Sequence, residues 1–163
     1  DEMAANPARK DEQRAILSQA RADLTRAVEI TPSNAQAWAD LSYVTSLWYH
    51  IEPAKAKELG QEAERTAGRA LALSQIVPEF WLRRGVALDL QGRWVDAGGA
   101  ITHAVELAPA SGNVWFYHAF HLGLNPSCAA LAEAAAAFCL RLDPANKQAQ
   151  ALRQQLATSL RTP

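Results

Sequence analysis

The chain has 163 residues, 49% of them hydrophobic, and carries 16 Lys and Arg against 17 Asp and Glu. That length suits one single-core domain or one short repeat array and leaves no room for two ordinary domains. A formal net charge of -1 gives no electrostatic reason to expect nucleic acid or an anionic surface as partner, and no run approaches the roughly 20 apolar residues of a membrane-spanning helix, so no membrane insertion by this segment is expected.

Ala is abundant and alternating β-branched runs are almost absent, which predicts an all-α chain. Because it opens at Asp1, an excised or processed segment is one expectation, and the compartment, cytoplasmic or periplasmic, stays open. In chain order, the first organised marks are Ala20, Leu24, Ala27 and Pro32, spaced as the second helix of a hairpin. Pro7 interrupts the stretch where a partner helix is expected, so the first hairpin, within residues 1–34, reads as partial.

Trp38, Leu41, Ser42 and Thr45 open a second hairpin (35–77), closed by Ala63, Ala67 and Ala70. Trp38 and Ala70 are 32 residues apart, where the equivalent Trp81 and Ala104 are 23 apart, which predicts a nine-residue insertion near residues 48–59, with Pro53 fitting a break. The third unit, Pro78 to Ser111, is the clearest at 34 residues. Trp81, Gly85 and Leu88 share one face of its first helix, Gly92-Arg93-Trp94 reads as the turn, and Ala97, Ile101 and Ala104 line a second helix that stops at Pro109. Two helices approach closely only where side chains are small, so Gly85, Ala97 and Ala104 are expected at the contact, with Trp81 and Ile101 filling the space around it. A fourth hairpin (112–145) begins at Trp115, Ala119 and Leu122, turns at Asn125-Pro126-Ser127, and closes with Ala132, Ala136, Cys139 and Pro144. Over residues 146–160, Ala149, Leu152, Leu156 and Leu160 form one stripe with Gln and Arg elsewhere, the pattern of a capping helix.

The spacing W-x2-L-G-x2-Y, then A-x3-F, then A and P, is met at Trp81, Gly85, Ala97, Ala104 and Pro109, and by it the sequence resembles the tetratricopeptide repeat (TPR) family over roughly Arg14 to Leu160. Arg84 replaces the usual Leu, and Leu88 and Ile101 replace the usual aromatics. The resemblance implies a right-handed α-α superhelix of three to four hairpins plus a capping helix, one domain over 1–163, packed through Trp38, Trp81, Gly85, Ala97, Ala104, Trp115 and Ala119, acting as a protein-protein interaction scaffold. In this family the first helices line the concave face. The side chains one and five residues after each marker Trp are therefore expected there: Ala39 and Tyr43, Leu82 and Val86, Phe116 and Phe120. Members that grip a terminal carboxylate carry Lys, Arg and Asn at such places, and none stands here. The expectation is an apolar, partly aromatic groove for an amphipathic helix or an extended apolar peptide, with little dependence on salt. Self-burial by a terminal helix or the insertion, and self-association, are the alternatives. The Ala-rich, Trp-marked repeats are also similar to soluble tails of bacterial O-antigen ligase and polymerase-like proteins, which implies, as another alternative, an accessory domain of a larger membrane enzyme.

Few residues suggest chemistry. His118 and His121, three apart on one helix, have a spacing that suits one metal ion, but nothing nearby in sequence completes the site, so no metal is assigned and packed or exposed histidine is the expectation. Cys128 follows Ser127, read as an N-cap that would lower the thiol's pKa; small apolar packing is expected of it and of Cys139, and the two lie too far apart on one helix for a disulfide. Gly98 and Gly99 interrupt a helix, either to admit a close neighbour or because they lie on the convex face, the second being preferred. Trp48, Tyr49 and His50 read as an exposed tip or as an anchor for the insertion. No phosphate-binding loop, nucleophile elbow or zinc-protease motif occurs. The chain is expected not to be an enzyme and to need no cofactor.

Overall fold

Helix boundaries follow from local punctuation. The computed structural model describes residues 7–159, in which eight α-helices run in order: α1 (Pro7–Ile30), α2 (Ala35–Leu47), α3 (Ala56–Leu73), α4 (Pro78–Leu90), α5 (Trp94–Leu107), α6 (Gly112–Gly123), α7 (Ala129–Leu142) and α8 (Lys147–Ser159). The Asn34 side chain accepts from the Ala37 amide at 3.0 Å, Ser111 Oγ from Val114 at 3.4 Å and Asn146 from Ala149 at 2.9 Å, each satisfying an amide that the first turn leaves without a partner. At α4 the N-cap, Val77, makes no side-chain bond, and the first helical residue is Pro78, which has no N–H to satisfy.

One contact repeats at every first helix. The indole Nε1 of Trp38, Trp81 and Trp115 donates to the carbonyl six residues earlier, of Pro32, Gln75 and Pro109, at 2.9, 2.9 and 2.8 Å. Gln150 Nε2 donates in the same way to Pro144 O at 2.9 Å. By this geometry α8 takes the place of a further first helix, with an amide in place of the indole, and its Gln and Arg side chains are exposed.

The helices pair as α2–α3, α4–α5 and α6–α7, and each first helix also packs on the next, α2 on α4, α4 on α6 and α6 on α8. The first helices lie closer to one another than the second helices do, so they form the inner layer and the array is an all-α helical solenoid. α1 packs on α2 through Leu24, Ala27 and Val28 and holds a second-helix place with no first helix before it among the described residues. The proline read as an interruption, Pro7, instead opens α1. The core is a chain of small clusters, for example Leu82, Ile101, Ala104 and Val114 between two repeats, as expected where each hairpin touches only its neighbours.

Two glycines set the helix spacing. A Cβ at Gly85 would lie 2.5 Å from Ile101 Cγ1 and 3.4 Å from Ala97 O, so α4 and α5 touch there. A Cβ at Gly60 would lie 2.8 Å from the Ala87 carbonyl, so α3 and α4 meet backbone to backbone across the repeat boundary. The α4–α5 turn is Gln91-Gly92-Arg93, with Gly92 at φ +72° where a side chain would be strained, and Trp94 begins α5 instead of belonging to the turn. Between α2 and α3 lie residues 48–55, in two 3-10 turns, Trp48–His50 and Pro53–Lys55, held by the buried Ile51. Trp48 is half-buried there while Tyr49 and His50 are exposed. The α6–α7 connection is a 3-10 turn over Pro126–Cys128 capped by Asn125, whose side chain accepts from the Ser127 amide; Ser127 is therefore not the N-cap. Leu160 of the capping stripe lies outside the described residues.

Candidate interaction face

Successive first helices are one repeat apart, so their inward side chains lie side by side across the inner layer. Tyr43 of α2, Arg83 of α4 and Tyr117 of α6 meet in this way. The Arg83 guanidinium lies 4.0 Å from the centre of the Tyr43 ring and 5.9 Å from that of Tyr117, and its Nη1 donates to the Tyr117 hydroxyl at 3.1 Å. All three are half-buried. Burial first, then the neighbouring Tyr117, holds the Tyr43 phenol above its ordinary pKa, with Arg83 acting in the opposite direction. Beside them on α6, Phe116 contacts the edge of Tyr117 at 5.5 Å and lies 6.4 Å from Phe120, one helical turn on.

The residues expected in the groove therefore divide. Tyr43, Val86 and Phe116 are half-buried and Phe120 is 43% exposed. Leu82 is fully buried with Ile101, Ala104 and Val114, and Ala39 is buried with Ala70 and Phe80, so neither offers surface unless the repeats part. At α2 and α4 the step of one residue after the marker Trp points into the inter-repeat core, whereas at α6 it gives the half-buried Phe116; at α4 and α6 the step of two, which gives Arg83 and Tyr117, reaches the face. Arg83 was the missing cation in the sequence reading. The signal for it was present in the pair Arg83-Arg84, the basic residues of that helix.

The packing residues occupy the hairpin contacts: Ala97, Ala104 and Ala119 are fully buried, and Trp38, Trp81 and Trp115 are half-buried over them with the indole N–H bonds described above. His121 is not paired with His118. Its Nδ1 faces both oxygens of Asp89 at 2.9 and 3.0 Å, its ring stacks on Trp94 at 4.8 Å, and Trp94 Nε1 donates to the His121 carbonyl at 3.3 Å. At 2% exposure this is a buried polar node tying α4, α5 and α6 together. Burial raises the Asp89 pKa, against the lowering effect of His121. Asp89 went unread as a partner because only the turn of α4 toward α6 brings together two side chains 32 residues apart.

Gly98 belongs to the same node: a Cβ there would lie 3.0 Å from His121 Nε2, so the glycine admits a neighbour, contrary to the convex-face reading, whereas Gly99 has open space around it. His118 stacks on Trp115 at 5.5 Å, and burial, then His121, holds its pKa below the ordinary value. Among the described residues no group of three or more His, Cys, Asp or Glu is arranged to hold a metal ion. Cys139 is buried with its thiol pushed up, by burial and then Asp143, and Cys128 is half-buried; both thiols are free.

No family model matches the sequence, and no curated protein is found similar to it. Solved structures show the fold. The chain superimposes on TTC0263, a thermophilic TPR protein of Thermus thermophilus, with a TM-score of 0.75 at 18% identity, over 98% of this chain and 84% of that one. It is similar to MamA with a TM-score of 0.61 at 13% identity, over 94% and 90% of the two chains. YrrB, described as a TPR protein with an unusual peptide-binding site, gives a TM-score of 0.55 at 20% identity over 93% and 74%. The resemblance read from Trp81, Gly85, Ala97, Ala104 and Pro109 thus holds for the fold, while the likeness to O-antigen ligase and polymerase tails finds no support.

Proposed function

We propose that this chain, which has the TPR fold, is a non-catalytic protein-interaction scaffold that takes a partner peptide or helix on the face of its first helices. The supporting observation is that Tyr43, Arg83, Tyr117, Phe116 and Phe120 touch one another along that face while remaining partly exposed, so their aromatic area is not consumed by the core. Phe120, 43% exposed, is covered by no described segment of the chain. Burying two such rings contributes several kcal/mol at about 25 cal/mol per Å² of apolar surface. A chain of nearly zero net charge has no long-range attraction of that size. The peptide-binding site of YrrB agrees with this reading of a related fold.

The test is Phe116→Ser with Phe120→Ser, after circular dichroism has shown that the helices persist, followed by partner capture and analytical sedimentation. Loss of capture at unchanged oligomeric state supports a foreign partner. A shift of sedimentation toward a smaller species identifies a second copy as the occupant. A folded variant that keeps every association of the parent would move the site to the outer layer or to residues 48–55.

A further inference from the structure

The Arg83 guanidinium is positioned but has no counter-ion. Among the described residues the ion pairs of Arg and Lys join Arg21 to Glu62, Arg93 to Glu64 and Asp96, Arg153 to Glu133, Arg14 to Asp11 and Lys55 to Glu52; Arg83 is in none of them. Its contacts are instead one ring face and one phenol oxygen. A guanidinium is planar, always charged, and presents five N–H donors in a fixed fork. Stacking on Tyr43 fixes that plane, and the bond from Nη1 to Tyr117 fixes its rotation. One of the five donors is thereby used and the fork is held still, which lowers the entropy lost when two parallel N–H···O bonds form.

Resting on the reading of this face as the binding site, we infer that Arg83 is a recognition point for the side-chain carboxylate of an acidic residue within the bound peptide. The charge supports an acid. The location supports a side chain and not a chain terminus: Arg83 is on α4, between the first helices α2 and α6, with Tyr43 on α2 to one side and Phe116 and Phe120 on α6 to the other. A peptide that covers all of these runs past Arg83 in both directions, so the group it presents there belongs to an internal Asp or Glu. Its apolar side chains then lie on the Phe116 and Phe120 rings. The motif expected of the partner is an acidic residue flanked by large apolar ones.

The experiment is selection from a phage library of random dodecapeptides fused through their carboxyl ends to the coat protein, which removes free C-terminal carboxylates from the pool. It is run in parallel on the wild-type chain, on Arg83→Gln, and on the Phe116→Ser, Phe120→Ser variant. Wild type should enrich peptides with one Asp or Glu at a constant distance from a large apolar residue. Arg83→Gln, which leaves the core clusters untouched, should retain the apolar preference and lose the acidic one. A selected peptide, synthesised with an amidated C-terminus, should bind wild type about tenfold more tightly than its Glu→Gln version, with that ratio falling toward one on Arg83→Gln.

Peptides selected through Phe116 and Phe120 without acidic enrichment overturn the inference and leave the interaction face standing. An acidic preference that persists unchanged in Arg83→Gln, or binding that requires a free C-terminal acid, also overturns it. Wild type that selects nothing beyond the double Ser variant removes both this inference and the groove reading.

Discussion

Adding a single methyl group at Gly85 tests the contact on which the third hairpin is built. In Gly85→Ala the new Cβ would sit 2.5 Å from Ile101 Cγ1, 3.0 Å from Ile101 Cδ1 and 3.4 Å from the Ala97 carbonyl. Ile101 has little freedom to yield: a β-branched side chain in a helix has one preferred rotamer, and this one is held by Leu82, Ala104 and Val114. Overpacking of this kind costs about 1–3 kcal/mol, while replacing Gly by Ala inside a helix returns about 1 kcal/mol. The net is a loss of up to about 2 kcal/mol, lowering Tm by a few degrees for a chain of this size, and Gly85→Leu should be far more damaging. Gly60→Ala should lose at least as much, because it meets the Ala87 backbone carbonyl at 2.8 Å, which moves only if α4 moves. Gly68→Ala and Gly99→Ala serve as controls of opposite sign. Nothing lies within 4 Å of a Cβ at either position, so each should gain about 1 kcal/mol or less. Thermal melts followed by circular dichroism on the four Ala variants and Gly85→Leu measure the series. A Gly85→Ala protein that gains as much as Gly99→Ala would show that the α4–α5 contact and the register read from Trp81 and Ala97 are wrong.

Two further outcomes follow from the buried polar groups. His118 is held below its ordinary pKa by burial, which favours its neutral form in the fold; its contribution is fully present above about pH 6.5 and is lost as pH falls through the depressed folded value, because the unfolded chain takes up the proton first. His118→Gln should therefore flatten the acid limb of a plot of Tm against pH, and an unchanged limb would count against burial as the cause. Asp89→Ala leaves His121 Nδ1 without its partner at a site 2% exposed and should cost about 1–3 kcal/mol in urea unfolding, whereas Asp89→Leu with His121→Leu should recover much of it. Equal stability of Asp89→Ala and wild type would show that the node contributes nothing.

Much of the fold was legible because each repeat restates the same local rules. Trp81, Gly85, Ala97, Ala104 and Pro109 are close enough in sequence that helical geometry alone places them at one hairpin contact. The same spacing at Trp38 and Trp115 supplies the neighbours, and Pro32 and Pro109 mark where helices stop. The candidate face was legible in part. Tyr43, Val86, Phe116 and Phe120 were read from the step after each marker Trp, but Leu82 and Ala39, reached by the same arithmetic, turn into the core because the next repeat packs there. Gly98 was misread for a related reason: what approaches it is the His121 ring from the following repeat, outside any local pattern.

The sequence by itself thus determined the helices, the hairpins and the contacts within each hairpin, since all of these depend on residues a few turns apart on a regular geometry. Tertiary structure decided what passes between repeats: the Gly60 contact of α3 with α4, the Asp89–His121–Trp94 node, and the stacking of Arg83 between Tyr43 and Tyr117. These depend on the rotation of one hairpin against the next. That rotation is set by how the small residues of both let the helices close, a property of no single repeat and of no spacing along the chain.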